Sequence, residues 1–203
     1  MQGVGPPLHP DLIVLASRVW HTIAGMSGSA NDTIEVRSAA APEAPVVVEV
    51  LVEAAAWLLA RGIRQWEANV TDRVRLEEIV SRWVAQGKMY VGVQAGGIMG
   101  VFLLASLEPW MAGIWPDDPP GTLYLGKLAI RRAFGGRGLG LKLLQQAEAV
   151  AAGLNARRVR LDCWAENLAL ISYYSRAGYE PQGIVEAHGW KLARFEKLLV
   201  SSA

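Results

Sequence analysis

Leu128-Ala129-Ile130-Arg131-Arg132-Ala133-Phe134-Gly135-Gly136-Arg137-Gly138-Leu139-Gly140 decides how this chain is read. An apolar strand end runs into four glycines within six residues and then into an amphipathic helix. Glycine lets the backbone turn with positive φ and lets a ligand approach the amides closely. The first N–H groups of a helix have no intrahelical partner, and the helix dipole adds positive potential there. Such a strand–loop–helix junction is a phosphate or pyrophosphate site. An ordinary strand-to-helix turn would not need four glycines, which lower the chain's preference for order.

Spacing separates the uses of this device. A dinucleotide fingerprint, G-x-G-x-x-G, started at Gly136 and Gly138 needs a third glycine where Leu141 stands. Started at Gly138 and Gly140, it meets Leu143 instead. Gly135 and Gly140 have the gap of a nucleotide-binding P-loop, but Leu141 occupies the lysine position. Enzymes that use ATP or NAD through these loops are therefore disfavoured.

Outward from the loop, Thr122 to Ile130 reads as a strand and Leu139 to Ala152 as a helix. Its inner face carries Leu139, Leu143, Leu144, Ala147 and Val150. Arg157 to Cys163 is the next strand, so the three elements form a βαβ unit with parallel strands. Asn167 to Ala177 is a helix closed by Gly178, and Trp190 to Leu198 is a last strand. Upstream, Thr33 to Arg37 reads as a short strand and Val46 to Ala60 as a helix ended by Gly62. A helix over residues 73–86, capped by Thr71 or Asp72, is followed by strands 89–94 and 98–106 around the hairpin signal Ala95-Gly96-Gly97. Residues 108–120 form a loop. The expected architecture is α/β, a mixed sheet with helices on both faces.

Composition sets outer limits. The 203 residues are 52% hydrophobic and 19% charged, enough for one domain with its own core. A net charge of +1 gives no global attraction to nucleic acid or a membrane surface, and neither is expected as a partner. No apolar run reaches the roughly 18 residues of a membrane span. The single cysteine, Cys163, permits no intrachain disulfide and fits a reducing, cytoplasmic compartment. It reads as a small buried hydrophobe. His9, His21 and His188 are too scattered to form a ligand pair, so no metal is expected. Residues 1–30 read as an extension, either disordered or a short helix over 11–24, and 31–203 as the domain. Arg18 interrupts the apolar run of the extension, which argues against a signal peptide.

Two separate segments resemble the GNAT superfamily of N-acyltransferases. Arg137-Gly138-Leu139-Gly140, entering its helix, is similar to the family's pyrophosphate loop. Asn167-Leu-Ala-Leu-Ile-Ser-Tyr-Tyr174-Ser-Arg-Ala-Gly178-Tyr179 resembles the family's Asn, Tyr seven residues on, and Gly-aromatic pair. The resemblance is strong over 122–180 and extends over about 33–200. It implies a mostly antiparallel sheet of six to seven strands and acetyl-CoA as cosubstrate. Leu128, Ile130, Gly136, Arg137, Gly138, Gly140 and Asn167 are then the expected acetyl-CoA-binding residues. The family often carries Gln or Arg three residues before the first loop glycine; counted from Gly138, that position is Gly135. Arg132 or Arg137 would supply the charge instead.

The resemblance also implies direct attack of an amine on the thioester, in a ternary complex, by a monomer or homodimer. A backbone N–H near Leu128 would meet the charge on the thioester oxygen. Tyr174 holds the position of the acid that protonates the leaving thiolate; it equally serves to pack its helix on the sheet. Many members carry a Glu on the strand before the loop, where this chain has Gly126 and Lys127. Glu108, Asp117 and Asp118 are the loop carboxylates within sequence reach, and Glu108 joins Tyr174 as the expected catalytic pair. Trp66, Trp110, Trp115 and Asp118 are the expected acceptor-binding residues. A module that binds acyl-CoA without turnover is the alternative.

Overall fold

The computed structural model describes residues 34–199. The extension, its helix within 11–24, the domain boundary at 30/31 and Thr33 lie outside them. Seven strands form one sheet: β1 Glu35–Ser38, β2 Met89–Gln94, β3 Gly97–Ala105, β4 Thr122–Ile130, β5 Arg158–Trp164, β6 Glu180–Ala187 and β7 Trp190–Leu198. Five helices accompany them: α1 Ala44–Leu59, α2 Glu67–Thr71, α3 Arg73–Ala85, α4 Leu139–Gly153 and α5 Leu168–Arg176. The strand order is β1-β2-β3-β4-β5-β7-β6. All neighbours are antiparallel except β4 and β5, the pair joined through α4. The expected mixed, mostly antiparallel sheet with helices on both faces is the one observed.

Two cores sandwich the sheet. On one face α1 and α3 bury Val47, Val50, Leu51, Leu58, Leu76 and Val80 against Met89, Val91 and Val101. On the other, α4 and α5 bury Leu139, Leu143, Leu144, Ala147 and Leu170 against Phe102, Leu128, Leu161 and Phe195. The helical spacing read from the sequence therefore marks the buried stripe of α4, although Val150 is only partly buried. Asp72 caps α3 by accepting from the Arg75 N–H, and Asn167 caps α5 by accepting from Leu170.

β6 is absent from the sequence reading. It lies at the sheet edge, carries Pro181 and Gly183, and is almost wholly exposed, so it shows no alternation. The short helix α2 was likewise unread.

Two irregularities shape the middle of the sheet. β4 and β5 pair only through Thr122–Arg158, Leu123–Val159 and Tyr124–Arg160, then part. On its other side, β4 pairs Gly126 with Leu103 and Ala129 with Val101, so Phe102 stands opposite two residues, Lys127 and Leu128. This is a β-bulge, and Lys127 takes the positive φ of 52° that it requires.

α4 sits close on β3 because Gly100 has no side chain. A Cβ there would lie 2.7 Å from the Ala129 carbonyl oxygen and 2.9 Å from a Leu143 methyl. Gly100→Ala is expected to destabilise the fold by about 1–3 kcal/mol, the usual range for overpacking. The check is a lower urea midpoint with an unchanged m-value.

Candidate functional site

The loop after β4 has the backbone that an anion site needs. Gly136 and Gly138 have φ of 77° and 72°, and Gly138 is the residue that caps α4. The N–H groups of the first turn of α4 therefore face the open side of the loop, at the positive end of a fifteen-residue helix. α1 braces the loop from the sheet's other face. Glu53 accepts from the Arg132 N–H at 2.6 Å. The guanidinium carbons of Arg132 and Arg61 lie 4.3 and 4.0 Å from the centre of the Trp57 ring. Burial, and then the charge of Arg61, lowers the pKa of Arg132. Arg137 lies over Phe134, 6.0 Å from its ring centre.

Beside the first turn of α4, an apolar cleft of about 240 Å³ opens against α5, lined by Leu141, Tyr173, Arg176 and Ala177. Beneath it, the parted strands leave the β5-side edge of β4 free of ladder pairing beyond Tyr124. That edge includes Leu128 and Ile130, both buried.

Tyr174 sits on the α5 side of this gap and is wholly buried. Its ring packs against Tyr173, Tyr179 and Phe195 at 5.4–5.9 Å. Burial first, then neighbouring groups including Asp162, holds its phenol well above the ordinary tyrosine range. Tyr174 thus packs α5 on the sheet, and its burial favours the protonated phenol. Burial also raises the Cys163 thiol strongly, in keeping with a small core residue.

The three loop carboxylates each meet a partner side chain. Glu108 is tied to Lys88, beside the start of β2. Asp117 receives two guanidinium nitrogens of Arg160 at 3.1 Å, which lowers its pKa. Asp118 accepts from the Tyr124 hydroxyl at 3.1 Å. Since Tyr124 and Arg160 are the last residues paired between β4 and β5, Asp117 and Asp118 lie below the gap. From Tyr124 to Leu128 is roughly 13 Å along a strand. Trp115 shares that lower position, packed on Tyr124 with the Arg160 and Arg194 guanidinium carbons at 4.7 and 5.4 Å. Trp110 is half-buried, and its carbonyl meets His188 Nε2 at 3.0 Å.

The gap has its own polar side chains. Asp162 is buried on β5, two residues beyond the last pairing. Val159, Leu161 and Cys163 join the α4–α5 core, so by alternation Asp162 faces the other side with Arg160. Its negative charge reaches Cys163 and Tyr174, raising both. Across the gap, the fully buried Lys127 places its ammonium 5.4 and 5.6 Å from the ring centres of Trp66 and Trp83. Asn167 donates to Gln65 Oε1 at 3.4 Å, tying the start of α5 to the segment before α2. Of the expected residues, Leu128, Tyr174, Asn167 and Trp66 lie around the gap, joined by Gln65, Lys127 and Asp162. A polar residue inside an apolar strand, Asp162 between Leu161 and Cys163, is the one sequence signal that would have found any of these.

A parted parallel pair beneath a glycine-headed helix, in this sheet order, defines a class: transferases that take an acyl group from a coenzyme A thioester. The acetyltransferase (GNAT) family model matches residues 64–179. The N-acetyltransferase YesJ of Bacillus subtilis (strain 168) is 35% identical over 157 residues, which cover 76% of this chain and 84% of that protein. The chain belongs to the GNAT family, and the protein is an acetyl-CoA-dependent acyltransferase. Solved structures share the fold. A GNAT-family acetyltransferase from Listeria monocytogenes 4b F2365 superposes with a TM-score of 0.66 at 23% identity, over 82% of this chain and 95% of that one. The yncA acetyltransferase of Salmonella typhimurium, solved with acetyl-CoA, gives 0.60 at 17% identity, over 85% and 97%. Among the described residues, no helix is long and apolar enough to cross a membrane, and no group of three or more His, Cys, Asp or Glu could hold a metal ion.

Proposed function

We propose that the protein moves an acetyl group from acetyl-CoA to a primary amine of a small molecule or peptide, by direct attack within a ternary complex. The observation that carries this reading is the gap between β4 and β5 directly below the glycine loop. It puts an anion site, an apolar cleft and an unpaired strand edge in one line. The amides of Gly136 to Gly140, aided by Arg137, hold the pyrophosphate. The cleft at Leu141 and Tyr173 takes apolar parts of the cosubstrate. Asn167 and the edge of β4 at Ile130 hold its pantetheine arm. The Leu128 N–H donates to the thioester oxygen as it gains charge.

Asp162, in this reading, takes the proton from the amine. It is the buried carboxylate at the gap, and Gly126 and Lys127 offer none on β4. Tyr174 supplies the proton that the leaving thiolate requires. The burial that makes its phenol a weak acid also raises the proton affinity of a thiolate formed beside it, so the transfer stays feasible. The absent β4 carboxylate favours a module that binds without turnover; Asp162 on the facing strand answers that objection. Tyr174→Phe is expected to lower kcat by on the order of 10²-fold, with acetyl-CoA affinity unchanged. In the unsubstituted protein the phenol stays protonated, so kcat should not fall on the alkaline side up to pH about 10. An unchanged kcat in the Phe variant would limit Tyr174 to packing.

A further inference from the structure

Beside the glycine loop, two guanidiniums share one aromatic ring. The guanidinium carbons of Arg61 and Arg132 lie 4.0 and 4.3 Å from the ring centre of Trp57, on the last turn of α1. Arg61 also donates from Nη1 to the Trp57 carbonyl oxygen at 3.1 Å, which holds it there. Like charges this close repel, and Arg132 registers it: burial first, then the charge of Arg61, lowers its pKa. Among the described residues, no carboxylate is ion-paired with either guanidinium. Glu53 supplies some opposing charge, but its carboxylate accepts from the Arg132 backbone N–H instead.

A second observation ties the pair to the loop. A Cβ at Gly135 would lie 3.5 Å from Arg132 Nη2 and 3.6 Å from its guanidinium carbon. The guanidinium therefore folds back over the first loop glycine, one residue before the amides of Gly136 to Gly140 begin. Arginine meets phosphate oxygens with two parallel N–H bonds, and stacking on an aromatic face fixes its plane in advance. Two oriented guanidiniums, not offset by an ion pair, at the edge of an anion loop describe a place for a second phosphate group.

We infer that Arg61 and Arg132, held on Trp57, bind the 3′-phosphate of coenzyme A, the phosphate that the loop amides do not take. This rests on the proposed seating of the pyrophosphate at the glycine loop and deepens it. A phosphate monoester carries about −1.5 to −2 charges at pH 7, enough to offset both guanidiniums at once. The pair then makes the protein distinguish coenzyme A from its 3′-dephospho form.

The experiment uses the full chain and titration calorimetry with acetyl-CoA and acetyl-3′-dephospho-CoA, with no acceptor present. The unsubstituted protein should bind acetyl-CoA tighter by on the order of 10-fold or more. That ratio should shrink as salt is raised from about 0.1 M to about 0.5 M. In the double variant Arg61→Gln, Arg132→Gln, acetyl-CoA should fall to within about 2-fold of the dephospho form, whose own affinity changes little. Both arginines are exposed, so the Tm of the ligand-free variant should stay within a few degrees.

Equal affinity of the unsubstituted protein for the two ligands overturns the inference while the glycine-loop seat stands. A double variant that loses both ligands alike also overturns it, giving the pair to the pyrophosphate or to the shape of the loop. So does a double variant that keeps the preference, since other side chains would then hold the phosphate. If neither ligand binds the unsubstituted protein, the reading of the glycine loop fails, and the inference fails with it.

Discussion

Gly138→Val is expected to remove measurable acetyl-CoA binding while leaving the core intact. Gly138 has φ of 72° and caps α4, where a β-branched residue is strongly disfavoured. Forced into that conformation, valine adds strain of order 1–3 kcal/mol and sets a side chain where phosphate oxygens must approach the amides. Two hydrogen bonds to a charged group contribute about 3–6 kcal/mol. Their loss lowers affinity on the order of 10²–10⁴-fold. Gly138 itself lies outside both cores, so the thermal midpoint should fall only by what the strain costs, roughly 2–12 °C. Titration calorimetry with acetyl-CoA checks the first part and calorimetric melting the second. Ordinary affinity in Gly138→Val would place the cosubstrate elsewhere.

Asp162→Asn is expected to lower kcat/KM for the acceptor amine by on the order of 10²–10⁴-fold, the usual weight of a positioned base. Asparagine keeps the shape and hydrogen-bonding reach of the side chain and removes its proton affinity, so acetyl-CoA binding should be unchanged. The pH profile separates catalysis from packing. An amine with a solution pKa near 10 is mostly protonated at pH 7. Without a base, the variant depends on the free amine fraction, so its rate should rise close to tenfold per pH unit below that value. Asp162 also raises Cys163 and Tyr174 through its charge, and both shifts should shrink in the variant. A variant with the slope of the unsubstituted protein and a lowered Tm would make Asp162 a structural residue.

The sequence was most legible where one local pattern decides the structure. The run from Leu128 to Gly140 carries strand, turn and helix signals in order, and its positive-φ glycines stand where the spacing put them. The inner face of α4 was readable for the same reason. The site was less legible because it depends on register and long-range contact. Whether Asp162 faces acceptor or core follows from how β5 pairs with β7 and β4. Lys127 turns buried because a bulge inserts it opposite Phe102, a property of two strands at once. Gln65 and Asn167 meet across a separation of 102 residues, which no window of sequence can show. The loop carboxylates Glu108, Asp117 and Asp118 meet Lys88, Arg160 and Tyr124, and the partners of Glu108 and Asp117 lie 20 and 43 residues away in sequence. β6 stayed hidden because an exposed edge strand with Pro181 and Gly183 has neither alternation nor apolar content.

Acetyl transfer to nitrogen from a cosubstrate bound at the glycine loop leaves a traceable product. The protein is incubated with acetyl-CoA carrying a ¹³C-labelled acetyl group and a panel of small-molecule and peptide amines, and the label is followed by mass spectrometry. The label is expected on the amine nitrogen in amounts equal to the CoA thiol released, with neither product formed by Gly138→Val. Thiol release with no labelled amide, or transfer that survives in Gly138→Val, would contradict it.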